Sequence, residues 1–225
     1  MPALKQLIPR LIAIAVLAVV YLGLTLAVAL GWLDGPDHTV ARQLDTAWQP
    51  ALQAPFHAIA ELGGIELTTL LAAALIVVLY RRGFRSEAWG VAVAFVSAQV
   101  FEVFYKAQLF HPAPPASRSH GDGPSVTDLL NHGLVTGHNS FPSGHMVRAV
   151  LVYGLLAFAI RRLAPPGLAR ALALPIAVVI IVLLAFDRLY LEVHWESDVL
   201  GGVLLGAVAL VAATVWLDRP VHAQN

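Results

Sequence analysis

Long runs of apolar residues constrain this chain more than any other feature of its sequence. A helix needs roughly 20 mostly apolar residues to cross a bilayer. Six segments meet this requirement, at 11–33, 64–80, 88–110, 143–160, 171–189 and 197–217. Backbone groups in lipid must be hydrogen-bonded within the chain, and the runs are too long and too unalternating for barrel strands. The sequence therefore predicts an all-α polytopic membrane protein with six transmembrane helices.

The overall composition agrees with a membrane protein. Hydrophobic residues make up 58% of the 225 residues and charged residues only 12%, whereas soluble domains carry about 25% charge. The net charge is zero, so no nucleic-acid partner is expected. There is no cysteine for disulfides or thiol chemistry. The length suits one integral-membrane domain, residues 1–225, whose surroundings are membrane lipids.

Basic residues indicate the orientation. With six spans, nine of the fourteen lysines and arginines fall on one side, which should be the cytoplasmic side of a bacterial cell membrane. The first apolar run exceeds the core of a signal peptide and lacks a clear cleavage site, so it is expected to be a retained helix. Five cations lie at or near the opposite face and need another explanation: Arg42, Lys106, Arg118, Arg148 and Arg188.

Two connections on the non-cytoplasmic side differ from ordinary short turns. Residues 37–63 carry apolar side chains every three or four positions, with a bend expected near Pro50 or Pro55. This pattern predicts either an interfacial helix or a helix packed against the outer end of the bundle. Residues 111–141 form a long loop rich in proline and histidine, in which Ser125 and Gly133 delimit a predicted short helix.

Ionisable residues at the outer ends of the spans mark the predicted functional site. Lys106 lies one turn after Glu102, so a simple ion pair or a lysine reaching the interface is the alternative explanation. Ser143 is a plausible N-cap, and the free N–H groups of the helix that follows, which begins with Gly144 and His145, favour an anion.

The fifth and sixth segments supply a second group of residues. Arg188 is followed by His194 and then Asp198, and the last two share a helix face because they are four positions apart. The carboxylate can hold one ring nitrogen and leave the other as a nucleophile or base. A structural ion pair is the alternative. A metal site is disfavoured because no third and fourth ligand occur at a recognisable spacing.

Taken together, these residues indicate phosphoryl transfer. Cations and backbone donors suit a multiply charged anion, and two histidines supply a nucleophile and an acid. No metal or cofactor is required by this chemistry, and none is predicted.

The motifs also resemble those of the type 2 phosphatidic acid phosphatase superfamily, which includes the vanadium haloperoxidases. Its members carry K-x6-R-P, P-S-G-H and S-R-x5-H-x3-D. The second motif is complete at 142–145, and the third is present from Arg188 to Asp198. The resemblance implies that His194 attacks phosphorus to form a phosphohistidine, that Asp198 orients it and that His145 protonates the leaving oxygen. The residues implied to bind phosphate are Lys106, Ser143, Gly144 and Arg188.

The chain departs from these motifs at two positions. Ala113 stands where the first motif has arginine, and Asp187 stands where the third has serine. Arg148, one turn after His145, is the predicted substitute for the missing arginine, with Arg118 as the second candidate. Alternatively, Arg148 pairs with Glu102 or Asp187.

The predicted function is that of a membrane lipid phosphatase whose site faces away from the cytoplasm. The family resemblance suggests undecaprenyl diphosphate, phosphatidylglycerol phosphate or phosphatidic acid as the lipid phosphate substrate. Two alternatives remain open: a lipid phosphotransferase that uses the same phosphohistidine, and a protein that binds lipid phosphates without turnover.

Overall fold

A computed structural model describes residues 2–115, 119–121 and 139–217, with the side chains of residues 2–6 omitted. In these residues the regular secondary structure is helical, as the sequence predicts. The α-helices are α1 (Pro2–Ala29), α2 (Asp34–Ala47), α3 (Gln53–Ala60), α4 (Ile65–Arg81), α5 (Arg85–Gln108), α6 (Gly144–Leu163), α7 (Leu168–Tyr190) and α8 (Glu196–Leu217). Short 3-10 turns, Pro50–Leu52 and Glu61–Gly63, flank α3.

Five helical segments are long and apolar enough to cross a membrane. They are Leu7–Ala29, Pro50–Arg81, Arg85–Gln108, Leu168–Tyr190 and Glu196–Leu217. These segments correspond to five of the six predicted spans. The remaining predicted span is also a helix, α6, but it is not one of these five.

Helix α6 forms the centre of the bundle. Most of its residues are buried, including the charged residue Arg148, and it packs against α4, α5, α7 and α8. The surrounding helices instead expose large apolar side chains, such as Val19 of α1, Val96 of α5 and Val182 of α7. Such an outer surface is suited to lipid, because apolar patches of this extent are rare on soluble monomers.

Two glycines allow α8 to lie directly against α6. A Cβ atom at Gly202 would be only 2.5 Å from the carbonyl oxygen of Ser143, and one at Gly206 would be 2.9 Å from that of Val147. Any larger residue would force the two backbones apart. Small residues four positions apart on one helix are the pattern that permits such a close approach between two membrane helices.

The α6–α8 contact predicts a specific sensitivity to one methyl group. We expect Gly202→Ala to cost about 1–3 kcal/mol, because the added carbon overpacks the interface and displaces the Ser143 backbone. Thermal unfolding in detergent micelles measures this as a lowered midpoint. Gly23→Ala is the matched control, since nothing lies within 4 Å of a Cβ at that position. Equal midpoints for the two variants would contradict the proposed packing.

The segment between α1 and α4 packs against the end of the bundle where α7 ends. It breaks between α2 and α3 at Pro50, as predicted. The Tyr190 hydroxyl at the end of α7 accepts a hydrogen bond from the Gln49 N–H (3.0 Å), and it donates one to the Ala47 carbonyl (3.3 Å). Of the two interpretations of residues 37–63, these contacts favour packing on the bundle.

Asn139 joins the two ends of the long loop. Its side-chain oxygen accepts a hydrogen bond from the His111 N–H (3.1 Å), and its amide nitrogen donates to the Lys106 carbonyl (2.9 Å). The start of α6 is thereby fixed to the end of α5. The predicted short helix between Ser125 and Gly133 lies outside the described residues, as does Arg118.

Candidate active site

The second and third motifs meet where α6 begins. Ser143 precedes α6 in an extended conformation, and its N–H donates a hydrogen bond to the Asp198 carbonyl (3.0 Å). Its side-chain hydroxyl is buried and has no hydrogen-bond partner among the described residues. A buried hydroxyl without a partner is costly, and it is available to a ligand at the N-terminus of α6.

His194 is held by a buried carboxylate. Its Nδ1 lies 3.2 Å from Oδ2 of Asp198, and the same oxygen accepts a hydrogen bond from the Trp195 N–H (2.9 Å). Asp198 is fully buried, whereas the His194 ring remains partly accessible. Because Asp198 engages Nδ1, the other ring nitrogen is free to act as a nucleophile or a base.

The two predicted catalytic histidines lie in one electrostatic environment. His145, on the first turn of α6, interacts electrostatically with His194, Arg188, Arg148 and Lys106. Its ring packs beside Gly63, where an added Cβ would be 3.0 Å from Cδ2 of the imidazole. The structure therefore brings residues from α5, α6, α7 and the start of α8 together at one end of the bundle.

Each of the three predicted phosphate-binding cations is paired with a carboxylate. Lys106 Nζ donates to Oε1 of Glu102 (3.0 Å), and Arg148 Nη1 donates to Oε2 of the same residue (3.2 Å). Arg188 pairs with its neighbour Asp187, and both are completely buried. Arg148 was predicted, as an alternative, to form an ion pair with Glu102 or Asp187, and the structure shows the pair with Glu102.

Sequence reasoning missed a set of polar residues behind Asp198. His111 Nε2 lies 3.4 Å from Oδ1 of Asp198 and 3.3 Å from the Ser197 hydroxyl. Ser197 in turn donates its N–H (2.9 Å) and its hydroxyl (2.7 Å) to the Asp37 carboxylate. A continuous chain of contacts thus runs from His194 through Asp198, His111 and Ser197 to Asp37.

Asp37 anchors this chain from outside the membrane spans. It is only 3% exposed although it lies in the first turn of α2. Burial raises the pKa of its carboxyl, and the hydrogen bonds from Ser197 partly oppose that shift. No short motif marks Asp37, because the contact joins positions 160 residues apart.

Asp37 provides a test of this network. We expect Asp37→Asn to destabilise the fold by about 1–3 kcal/mol, because the amide nitrogen cannot accept the proton that the Ser197 hydroxyl donates to the carboxylate. Thermal unfolding in detergent measures the change. Asp34→Asn is the matched control: Asp34 lies in the same first helical turn but is exposed, so it shares only the helix-dipole effect. Equal destabilisation by both variants would argue against the network.

The described residues include no group of three histidine, aspartate or glutamate side chains placed to hold a metal ion. Metal-independent chemistry therefore remains a prediction from the sequence.

The fold and the site define the class of this protein. It is a helical integral membrane protein with a histidine–aspartate pair and buried cations gathered at one end of its bundle. The sequence pattern of the PAP2 superfamily matches residues 87–221, which is more than half of the chain. The chain belongs to the PAP2 superfamily, and the resemblance recognised from its motifs is confirmed.

Two known proteins are similar to this chain. A stretch of 68 residues is 44% identical to phosphatidylglycerophosphatase B of Bacillus subtilis (strain 168) and covers 30% of this chain and 34% of the relative. A crystal structure described as the first transmembrane PAP2 type phosphatidylglycerolphosphate phosphatase from Bacillus subtilis superimposes with a TM-score of 0.72. That match covers 89% of this chain and 94% of the other at 23% identity, so it shows a shared fold.

Proposed function

We propose that this protein is a phosphatase of membrane lipids, formed by a single domain whose site faces away from the cytoplasm. The observation that carries the proposal is the placement of His194. Its Nδ1 is held by buried Asp198, while His145 and three cations lie within electrostatic range at the same end of the bundle. This arrangement supplies a nucleophile, an acid and stabilising charge for phosphoryl transfer.

In the proposed reaction, the free ring nitrogen of His194 attacks phosphorus and the bond from phosphorus to the leaving oxygen breaks. His145 gives its proton to that oxygen. Lys106, Arg188, Ser143 and the Gly144 N–H hold the remaining phosphate oxygens. Water then attacks the phosphohistidine, giving up a proton to His145, and inorganic phosphate leaves with His194 restored.

The names of the relatives favour one substrate among those considered. Both names refer to a phosphatase of phosphatidylglycerol phosphate, so we place that lipid ahead of undecaprenyl diphosphate and phosphatidic acid. The apolar outer surface keeps the lipid tail in the membrane while the phosphate reaches the site. The opposite end of the bundle carries Arg81, Arg161 and Arg162, which supports a cytoplasmic location for that end. Both relatives come from Bacillus subtilis, which supports a bacterial cell membrane as the location.

Phosphate release from purified protein tests the function. We expect the native chain to release phosphate from phosphatidylglycerol phosphate, and His194→Ala to lower kcat by about 1,000-fold or more, because the nucleophile is lost. His57→Ala is the control for loss of a histidine outside the proposed site, because His57 is a partly buried residue of α3. We expect this variant to keep its activity.

Three results would count against parts of this proposal. Undiminished activity of His194→Ala would refute the phosphohistidine, and loss of activity on chelation of divalent ions would refute metal independence. Transfer of phosphate to an added lipid alcohol, with little free phosphate, would identify a phosphotransferase instead.

Arg148 is proposed to take the place of the arginine missing at Ala113. Removal of one preorganised donor costs about 100- to 1,000-fold in rate, so we expect that loss in Arg148→Gln. Adding Ala113→Arg to this variant restores activity, because the second substitution returns a guanidinium to the first motif. A folded Arg148→Gln protein with native activity would exclude the substitution hypothesis, and its unfolding midpoint reports whether it is folded.

A further inference from the structure

Glu102 is a buried acidic residue to which the proposed reaction assigns no role. It lies on the membrane-spanning helix α5 and is 7% exposed. A buried carboxylate inside a membrane helix is expensive, and such residues are usually paired or functional. What surrounds it therefore indicates its role.

Glu102 contacts two of the cations that are proposed to bind the substrate's phosphate. Its two carboxylate oxygens are bound by different cations, Oε1 by Lys106 (3.0 Å) and Oε2 by Arg148 (3.2 Å). The carboxylate also interacts electrostatically with His194. A purely structural ion pair would need only one of these cations.

The carboxylate also lies against the start of α6. A Cβ atom on Gly144 would be 2.0 Å from Oε1 and 2.7 Å from Oε2 of Glu102, so the carboxylate fills the space that a side chain would take there. The first N–H groups of a helix have no partner within that helix, and this end attracts anions. Glu102 thus places its negative charge beside the helix end that attracts anions.

From these contacts we infer that Glu102 is an internal counter-anion that competes with the substrate's phosphate for Lys106 and Arg148. The inference rests on the proposed function, because it assigns the same cations to the same ligand. When a phosphate enters, the carboxylate has to leave one or both cations. Its return after turnover helps to expel inorganic phosphate. Glu102 therefore sets how tightly this site holds phosphate groups.

The charges agree with this exchange. Lys106, Arg148 and Arg188 face two carboxylates, Glu102 and Asp187, so the charges of these side chains come close to balancing one another. A phosphate carries about −1.5 to −2 charges near neutral pH, and like charges at close range disfavour each other. Neutralising Glu102 without changing its size removes that repulsion and ends its ionic attraction to both cations, while Arg148 stays bonded to the Gly63 carbonyl (3.1 Å).

Direct binding of inorganic phosphate to purified protein in detergent tests the inference, by isothermal titration calorimetry. We expect Glu102→Gln to bind phosphate about 10-fold more tightly than the native chain, a gain of about 1.4 kcal/mol. Its hydrolysis reaction becomes more sensitive to inhibition by product phosphate. Glu87→Gln is the matched control, because Glu87 is also buried on α5 and faces Arg162 (3.9 Å) at the other end of the helix.

Unchanged or weaker phosphate binding in folded Glu102→Gln, with a native-like unfolding midpoint, would overturn the inference. If that variant does not fold, Glu102→Asp keeps the charge but draws it back from both cations, and tighter phosphate binding is again expected. The binding measurement requires no turnover. Tighter binding by a protein that hydrolyses no lipid phosphate would therefore refute the proposed function alone, whereas hydrolysis without tighter binding would refute the role of Glu102 alone.

Discussion

The contact between α6 and α8 is the constraint on which the rest of the site depends. Gly202 lets the α8 backbone lie against the turn at Ser143, and the Ser143 N–H donates a hydrogen bond to the Asp198 carbonyl. Two motifs more than forty residues apart are thereby fixed to each other through their backbones. His145 and His194 inherit their relative placement from this contact, because each lies within four positions of it.

The buried charges of the site are stabilised by one another while no substrate is bound. Removing an arginine or lysine from water is costly unless a carboxylate and good hydrogen bonds compensate. Glu102 and Asp187 provide that compensation here, each beside a cation assigned to phosphate. These carboxylates stabilise the folded protein, and their negative charge also opposes the binding of an anion. A change that strengthens phosphate binding is therefore expected to lower the stability of the fold.

The sequence predicts the fold well because hydropathy is a local property of the chain. The apolar runs and the N-terminus of α6 are visible from neighbouring residues alone, and so are the motif residues His145, His194 and Asp198. The sequence does not predict that α6 is the buried centre of the bundle, since its apolar segment resembles the other five.

The residues that support Asp198 and Ser197 could not be predicted from the sequence. Asp37 and His111 contact Ser197 and Asp198 only after distant segments pack together, and no spacing rule joins them. Glu102 could be predicted as a partner of Lys106 or of Arg148, and the structure shows both pairs. Its contact with Gly144 could not be predicted, since that contact depends on how α5 meets α6.

Asn139 has a consequence for how this protein tolerates change. By bonding to both the Lys106 carbonyl and the His111 N–H, one side chain ties together the two points where the long loop leaves and rejoins the bundle. These two bonds hold α5 and α6 together through residues at the loop's ends alone. Insertions, deletions or grafted epitopes between the anchor points are therefore expected to preserve the registration of the two helices.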